Sequence, residues 1–155
     1  MITKLFEDAN NKVGKHRTKN NYWHKIGIEV DRSHRLPVGD YMLELDGKVS
    51  VDTKQDLQEL VNNLFCDRFR FEKECIRAKN SGILLFVLIE EKFDKEQLLN
   101  WKSRTNNKGI PYVKVAGWQI LREMKRYSAL YGVKFRCCHK LATGKKVLEL
   151  LDKKN

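Results

Sequence analysis

The chain has 155 residues, and its 31 Lys and Arg outnumber 20 Asp and Glu to give a formal net charge of +11. That length suits one domain with a sizeable core, and a hydrophobic fraction of 41% with 10% aromatics excludes a disordered chain. The basic excess attracts polyanions, nucleic acid foremost, although ribosome-like or membrane-surface binding carries the same sign.

No apolar run reaches the length of a membrane span, and the N-terminal MITKLFEDANN lacks the apolar stretch of a signal peptide. Cys66, Cys75, Cys137 and Cys138 show no C-x-x-C spacing, so a cytoplasmic protein with free thiols is expected. Cys137-Cys138-His139 lacks a second ligand pair and reads as a strand end, not a zinc fragment.

In chain order, Ile2, Leu5, Phe6, Ala9 and Val13 follow helical spacing and predict an amphipathic helix. GKHRTKNN, residues 14–21, reads as a basic loop, with Lys15 and Arg17 either tracking a phosphate backbone or simply solvated. Residues 22–30 predict a strand with Ile26, Ile28 and Val30 on one face, ending in Asp31. RSHRLPVG then loops to Asp40.

Residues 41–45 and 48–53 predict a β-hairpin around the turn dipeptide Asp46-Gly47. Strand alternation puts Asp52 and Lys54 on one face, beside Asp40 at the start of the hairpin. Two carboxylates and an ammonium suit a metal-dependent phosphodiesterase. Mg²⁺ prefers hard oxygen ligands, lowers the pKa of a bound water and offsets charge on the phosphorane, and a lysine serves the attacking water. A solvated hairpin whose charges face water is the other reading.

Leu57, Leu60, Val61 and Leu64 predict a helix packed on a sheet, with Asp56 and Glu59 in its first turns. Residues 67–80 predict a second, basic helix with Phe69 and Ile76 inward. Its Arg68 and Arg70 either contact phosphate or pair with Glu72 and Glu74. Gly82 suits a helix terminus, and ILLFVLI, residues 83–89, predicts a strand covered on both faces. Glu90 follows as an exposed terminus or a further metal-shell acid. Residues 96–104 predict a short helix, and TNNKGIP, 105–111, a loop that touches substrate through Lys108. Residues 115–131 predict the longest helix, with Ile120, Met124, Tyr127 and Tyr131 as a seam, then come a strand over 133–138 and a helix over 144–151.

The order strand-Asp, L-P-x-G-D-Y, V-D-x-K, Arg-containing helix and apolar strand ending in Ile-Glu resembles the XPF-type endonuclease domain, over about residues 26–90. That family belongs to the restriction-endonuclease-like, PD-(D/E)xK superfamily. The resemblance implies an α/β fold, a central mixed β-sheet flanked by helices, as a single nuclease domain over residues 1–155. It implies a DNA endonuclease using Mg²⁺, with Mn²⁺ able to substitute, on branched, flapped or single-strand-containing DNA in recombination, replication or repair. The compact form resembles versions from bacteria and their phages.

Carried over to this chain, the resemblance makes Asp40 and Asp52 metal ligands, Lys54 the catalytic lysine, Thr53 a carbonyl ligand and Asp31 an assisting acid. Arg68 matches the arginine after the first helix. Relatives dimerise through C-terminal helices, so a homodimer is implied as well. The chain departs from the family pattern at Asp52, where glutamate is usual, at Thr53, where arginine is usual, and at Gln58, where an acid is usual. A non-catalytic DNA- or protein-binding module retaining the fold is the alternative.

Overall fold

The structure, a computed structural model, describes residues 1–153. Its frame follows from the apolar run before Glu90. That run forms β5 (Leu84–Ile89), parallel both to β4 (Val49–Lys54) and to β6 (Lys134–Cys137). Residues alternate across a pleated strand, so β5 feeds two cores. Leu85, Val87 and Ile89 face one layer, and Phe86 and Leu88 face the other.

The first layer is built by α2 (Leu57–Phe65), α3 (Arg68–Asn80), α4 (Lys95–Leu99) and α5 (Gly117–Tyr131). The second is built by α1 (Arg17–Lys25) and α6 (Thr143–Leu151). Each fully buried large apolar side chain contributes roughly 1.5–3 kcal/mol, which is why a strand apolar on both faces takes an interior place. The remaining strands are β1 (Lys4–Glu7), β2 (Glu29–Asp31) and β3 (Tyr41–Met42), and the sheet order is β2-β1-β3-β4-β5-β6. The expected mixed sheet with helices on both sides is present. Among the described residues no helix is long and apolar enough to cross a membrane.

The N-terminal third departs from expectation. The first residues form a strand, not a helix, because Leu5 enters the core while β1 pairs with β2 on one side and β3 on the other. The expected basic loop and the start of the expected strand form α1. Its inward positions are His16, Lys19 and Trp23, a helical spacing carried mostly by polar residues. Ile26 sits at the helix end, 49% exposed.

The hairpin is shorter than expected. Tyr41 pairs with Val51, but only two residues of β3 are extended, and the turn closes by Gly47 N donating to Glu44 O at 3.0 Å. Gly47 does not use a positive φ. On α3 the inward residues are Phe71, Cys75 and Ala78, whereas Phe69 is 81% exposed. On α5 the expected seam serves the core: Ile120 and Tyr127 are fully buried, and the half-buried Met124 and Tyr131 pack beside them.

Candidate active site

Asp52 and Lys54 stand on one face of β4, and Asp40 reaches the same place from the bend before β3. Gly39 makes that bend at φ +72°, a region costly for any residue with a Cβ. Asp40 N donates to Val51 O at 2.9 Å, which docks the bend on β4. One Asp40 oxygen, Oδ2, then accepts from Thr53 N at 2.9 Å and Thr53 Oγ1 at 2.8 Å. Its Oδ1 carries no hydrogen bond among the described residues.

Thr53 contributes through its backbone as well. Lys48 O and Lys54 O accept from Leu84 N and Glu90 N on the β5 side, whereas Val51 O accepts on the β3 side. Alternation turns the Thr53 carbonyl to the β3 side too, beyond the last paired residue, at the cleft.

Asp52 and Lys54 are both buried, and Lys54 Nζ lies 2.8 Å from Asp52 Oδ2. The contact is a short, charge-assisted ion pair that occupies this buried carboxylate oxygen. Burial pushes the Asp52 carboxyl up to about 6, Lys54 opposes the shift, and the charge of Asp40 reinforces it. Burial also raises Asp40, against the two hydrogen bonds from Thr53. Burial disfavours the Lys54 ammonium, but the Asp52 carboxylate prevails and holds the lysine above its ordinary range. Lys54 is therefore a cation and a donor here. Its Nζ also sits 5.2 Å from the centre of the Phe71 ring.

Glu74, expected only as an ion-pair partner on the helix surface, is a further carboxylate of the site. Its Oε1 accepts from Gly39 N at 2.9 Å, and burial, then the nearby Asp52 charge, raise its carboxyl. The signal was present: once Phe71 is taken as inward, Glu74 follows at i+3 and Ala78 at i+7. Asp8 was missed as well. It follows β1, its N–H donates to Asp40 O at 2.8 Å and its Oδ1 accepts from Leu36 N at 2.8 Å.

These groups line a cleft of about 880 Å³. Asp40, Asp52, Thr53, Lys54, Lys15 and Arg70 all border it, with Lys12, Arg35 and Arg77 adding cations. Arg17, Arg68 and Lys108 are exposed but do not line it. Asp31 does not join it either. It ends the edge strand β2, three strands from β4 and so roughly 14 Å away at the usual spacing. There it accepts from Ser33 and lies 3.3 Å from Lys4, contacts that hold its carboxyl down to about 2.

Two further residues gain roles. Glu90 is buried, not exposed, and accepts from Lys19 Nζ at 2.7 Å, fastening α1 to the end of the β4–β5 strand pair. Gln58 is buried, and its Oε1 accepts from Arg104 N at 2.8 Å.

The donor set at the cleft suits a hard cation. It offers carboxylate oxygens and a carbonyl, and no His or Cys borders it. Among the described residues no three acidic, His or Cys side chains are arranged to hold an ion by themselves. Water and substrate phosphate complete such a shell for Mg²⁺.

No protein-family model matches the chain, and no curated protein matches it in sequence. Its backbone superposes on the solved structure of XPF from Aeropyrum pernix with a TM-score of 0.64, covering 95% of this chain. The fold is XPF-like. The identity is 15%, and the match covers 64% of that protein, so this chain spans less than two thirds of its length. In this XPF-like frame the acids and the lysine sit where the short β3 meets β4.

Proposed function

We propose that this protein is a Mg²⁺-dependent DNA endonuclease, with Mn²⁺ able to substitute, acting on branched, flapped or single-strand-containing DNA. The observation that carries the reading is the convergence of Asp40, Asp52 and the ammonium of Lys54 in one cleft rimmed by Lys12, Lys15, Arg35 and Arg70. The XPF-like fold supports the substrate class, and recombination, replication or repair are the settings in which such DNA arises.

Asp40, Asp52 and the Thr53 carbonyl would hold the ion. When bound, it lowers the pKa of a water and offsets charge on the scissile phosphate. Lys54, kept protonated by Asp52, donates to a phosphate oxygen as negative charge builds there. That role differs from deprotonating the water. The rim cations hold flanking phosphates, so binding weakens as salt rises. Asp31 has no part in this mechanism.

The test is cleavage of labelled forks, flaps, four-way junctions, single strands and plain duplex with Mg²⁺ or Mn²⁺, comparing wild type with Asp52→Asn and Lys54→Ala. Metal-dependent cutting by wild type and a loss of about 100-fold or more in each variant are expected, the usual scale for removing one transition-state donor. Salt-sensitive binding without cutting on any substrate would sink the enzyme reading and leave a DNA-binding module.

A further inference from the structure

Between α4 and α5 the chain runs W-K-S-R-T-N-N-K-G-I-P-Y-V-K-V-A, residues 101–116, with four cations and no acid. Its middle is a hydrogen-bonded tongue. Thr105 bridges Pro111 in antiparallel fashion, Asn106 N donates to Ile110 O at 2.8 Å, and Tyr112 N donates to Arg104 O at 2.9 Å. Asn106 Oδ1 accepts from the N–H groups of Lys108 and Ile110, fixing the tip from within. These bonds hold two apolar side chains in water: Ile110 is 48% exposed and Tyr112 63% exposed.

The base of the tongue is fastened to the catalytic segment. Arg104 N donates to the buried Gln58, and Arg104 Nη1 lies 2.9 Å from Asp56 Oδ2, two residues beyond Lys54. Arg104 and Tyr112 are partners across the ribbon, so their side chains share a face. The face that carries the tyrosine is therefore the one anchored to Asp56 at the start of α2, two residues beyond Lys54. A fixed, exposed aromatic ring among cations is what proteins use to stack unpaired bases.

We propose that the tongue is a stacking wedge for an unpaired base of the substrate, with Tyr112 as its platform and Lys102, Lys108 and Lys114 holding the neighbouring phosphates. The proposal rests on the DNA reading and narrows it to substrates with single-stranded character near the cut. Plain duplex offers the wedge nothing to stack.

The test is run in EDTA, so that cleavage plays no part. The probe is a fork with 2-aminopurine in its single-stranded arm. Wild type should quench the fluorescence, and Tyr112→Phe should keep both quenching and affinity. Tyr112→Ala should lose the quenching and about tenfold in fork affinity, with affinity for plain duplex unchanged. Equal affinity and quenching in Tyr112→Ala, or no binding of the fork by wild type, would overturn the wedge. A protein that shows the wedge signature yet cuts no DNA with any metal would overturn the endonuclease and leave the wedge standing. A protein whose cutting preference for fork over duplex is the same in Tyr112→Ala as in wild type would do the reverse.

Discussion

Gly39→Ala isolates the bend that aims Asp40. An alanine at φ +72° costs about 1 kcal/mol, and its Cβ would collide with Ser50 Oγ and lie 3.1 Å from Val51 O. Ser50 is fully buried, and its hydroxyl donates to Val38 O at 2.7 Å. Turning that hydroxyl away loses a hydrogen bond of about 1 kcal/mol and leaves a carbonyl unsatisfied. The sum is about 2–3 kcal/mol, or roughly 5–10 °C in Tm for a chain of this size. The assay is thermal and urea unfolding of wild type, Gly39→Ala, Ser50→Ala and the double variant. With the hydroxyl already gone, Gly39→Ala should add only the backbone cost of about 1 kcal/mol, so the pair should couple by about 1–2 kcal/mol. Strict additivity, or a Gly39→Ala protein melting with wild type, would refute the steric reasoning. A shift of Asp40 by about 1 Å should also lower cleavage by about 100-fold.

His16 is buried with both ring nitrogens lacking a partner, and burial, then Lys19, lower its ring from 6.5 to about 3. The folded ring thus binds fewer protons than the unfolded one, and its contribution to stability is lost as pH falls from about 6.5 towards 3. His16→Asn should flatten the dependence of unfolding free energy on pH in that window by about 1.4 kcal/mol per pH unit, and equal slopes in urea titrations of both proteins would count against it. Glu74→Gln keeps an acceptor for Gly39 N–H but removes a charge facing Asp52. The fold should persist while the acid limb of the cleavage rate moves to lower pH, whereas an unmoved limb would take Glu74 out of the electrostatics of the site.

The convergence of the proposed site residues was legible because their spacing survives any uncertainty in the frame. Asp52 and Lys54 share a face in any strand, and Asp40 is tied to that strand by the pairing of Tyr41 with Val51. The helices over Leu57–Phe65 and Gly117–Tyr131 announced themselves by apolar periodicity, and the strand over Leu84–Ile89 by an unbroken apolar run. α1 did not, because two of its three inward positions, His16 and Lys19, are polar. Lys19 goes inward only for Glu90, 71 residues away, a partner that no local window contains. Without that partner α1 reads as a loop. Reading β1 as a helix left Asp8 unremarked, while Asp31 was expected to assist because of the resemblance and its place at a strand end. Gln58 looked like a departure from a pattern, whereas its amide oxygen holds the tongue's backbone.

The ion pair of Lys54 with Asp52 bears on the order in which such a protein is assembled. Asp40, Asp52 and Glu74 crowd negative charge into a partly dry space, which alone opposes folding. The ammonium at 2.8 Å balances that charge from within the same strand. The polypeptide can therefore mature before it meets the proposed divalent ion, which would compete with a resident lysine for Asp52. A shortage of magnesium would silence the proposed endonuclease without unfolding it, and resupply would restore it with no new synthesis.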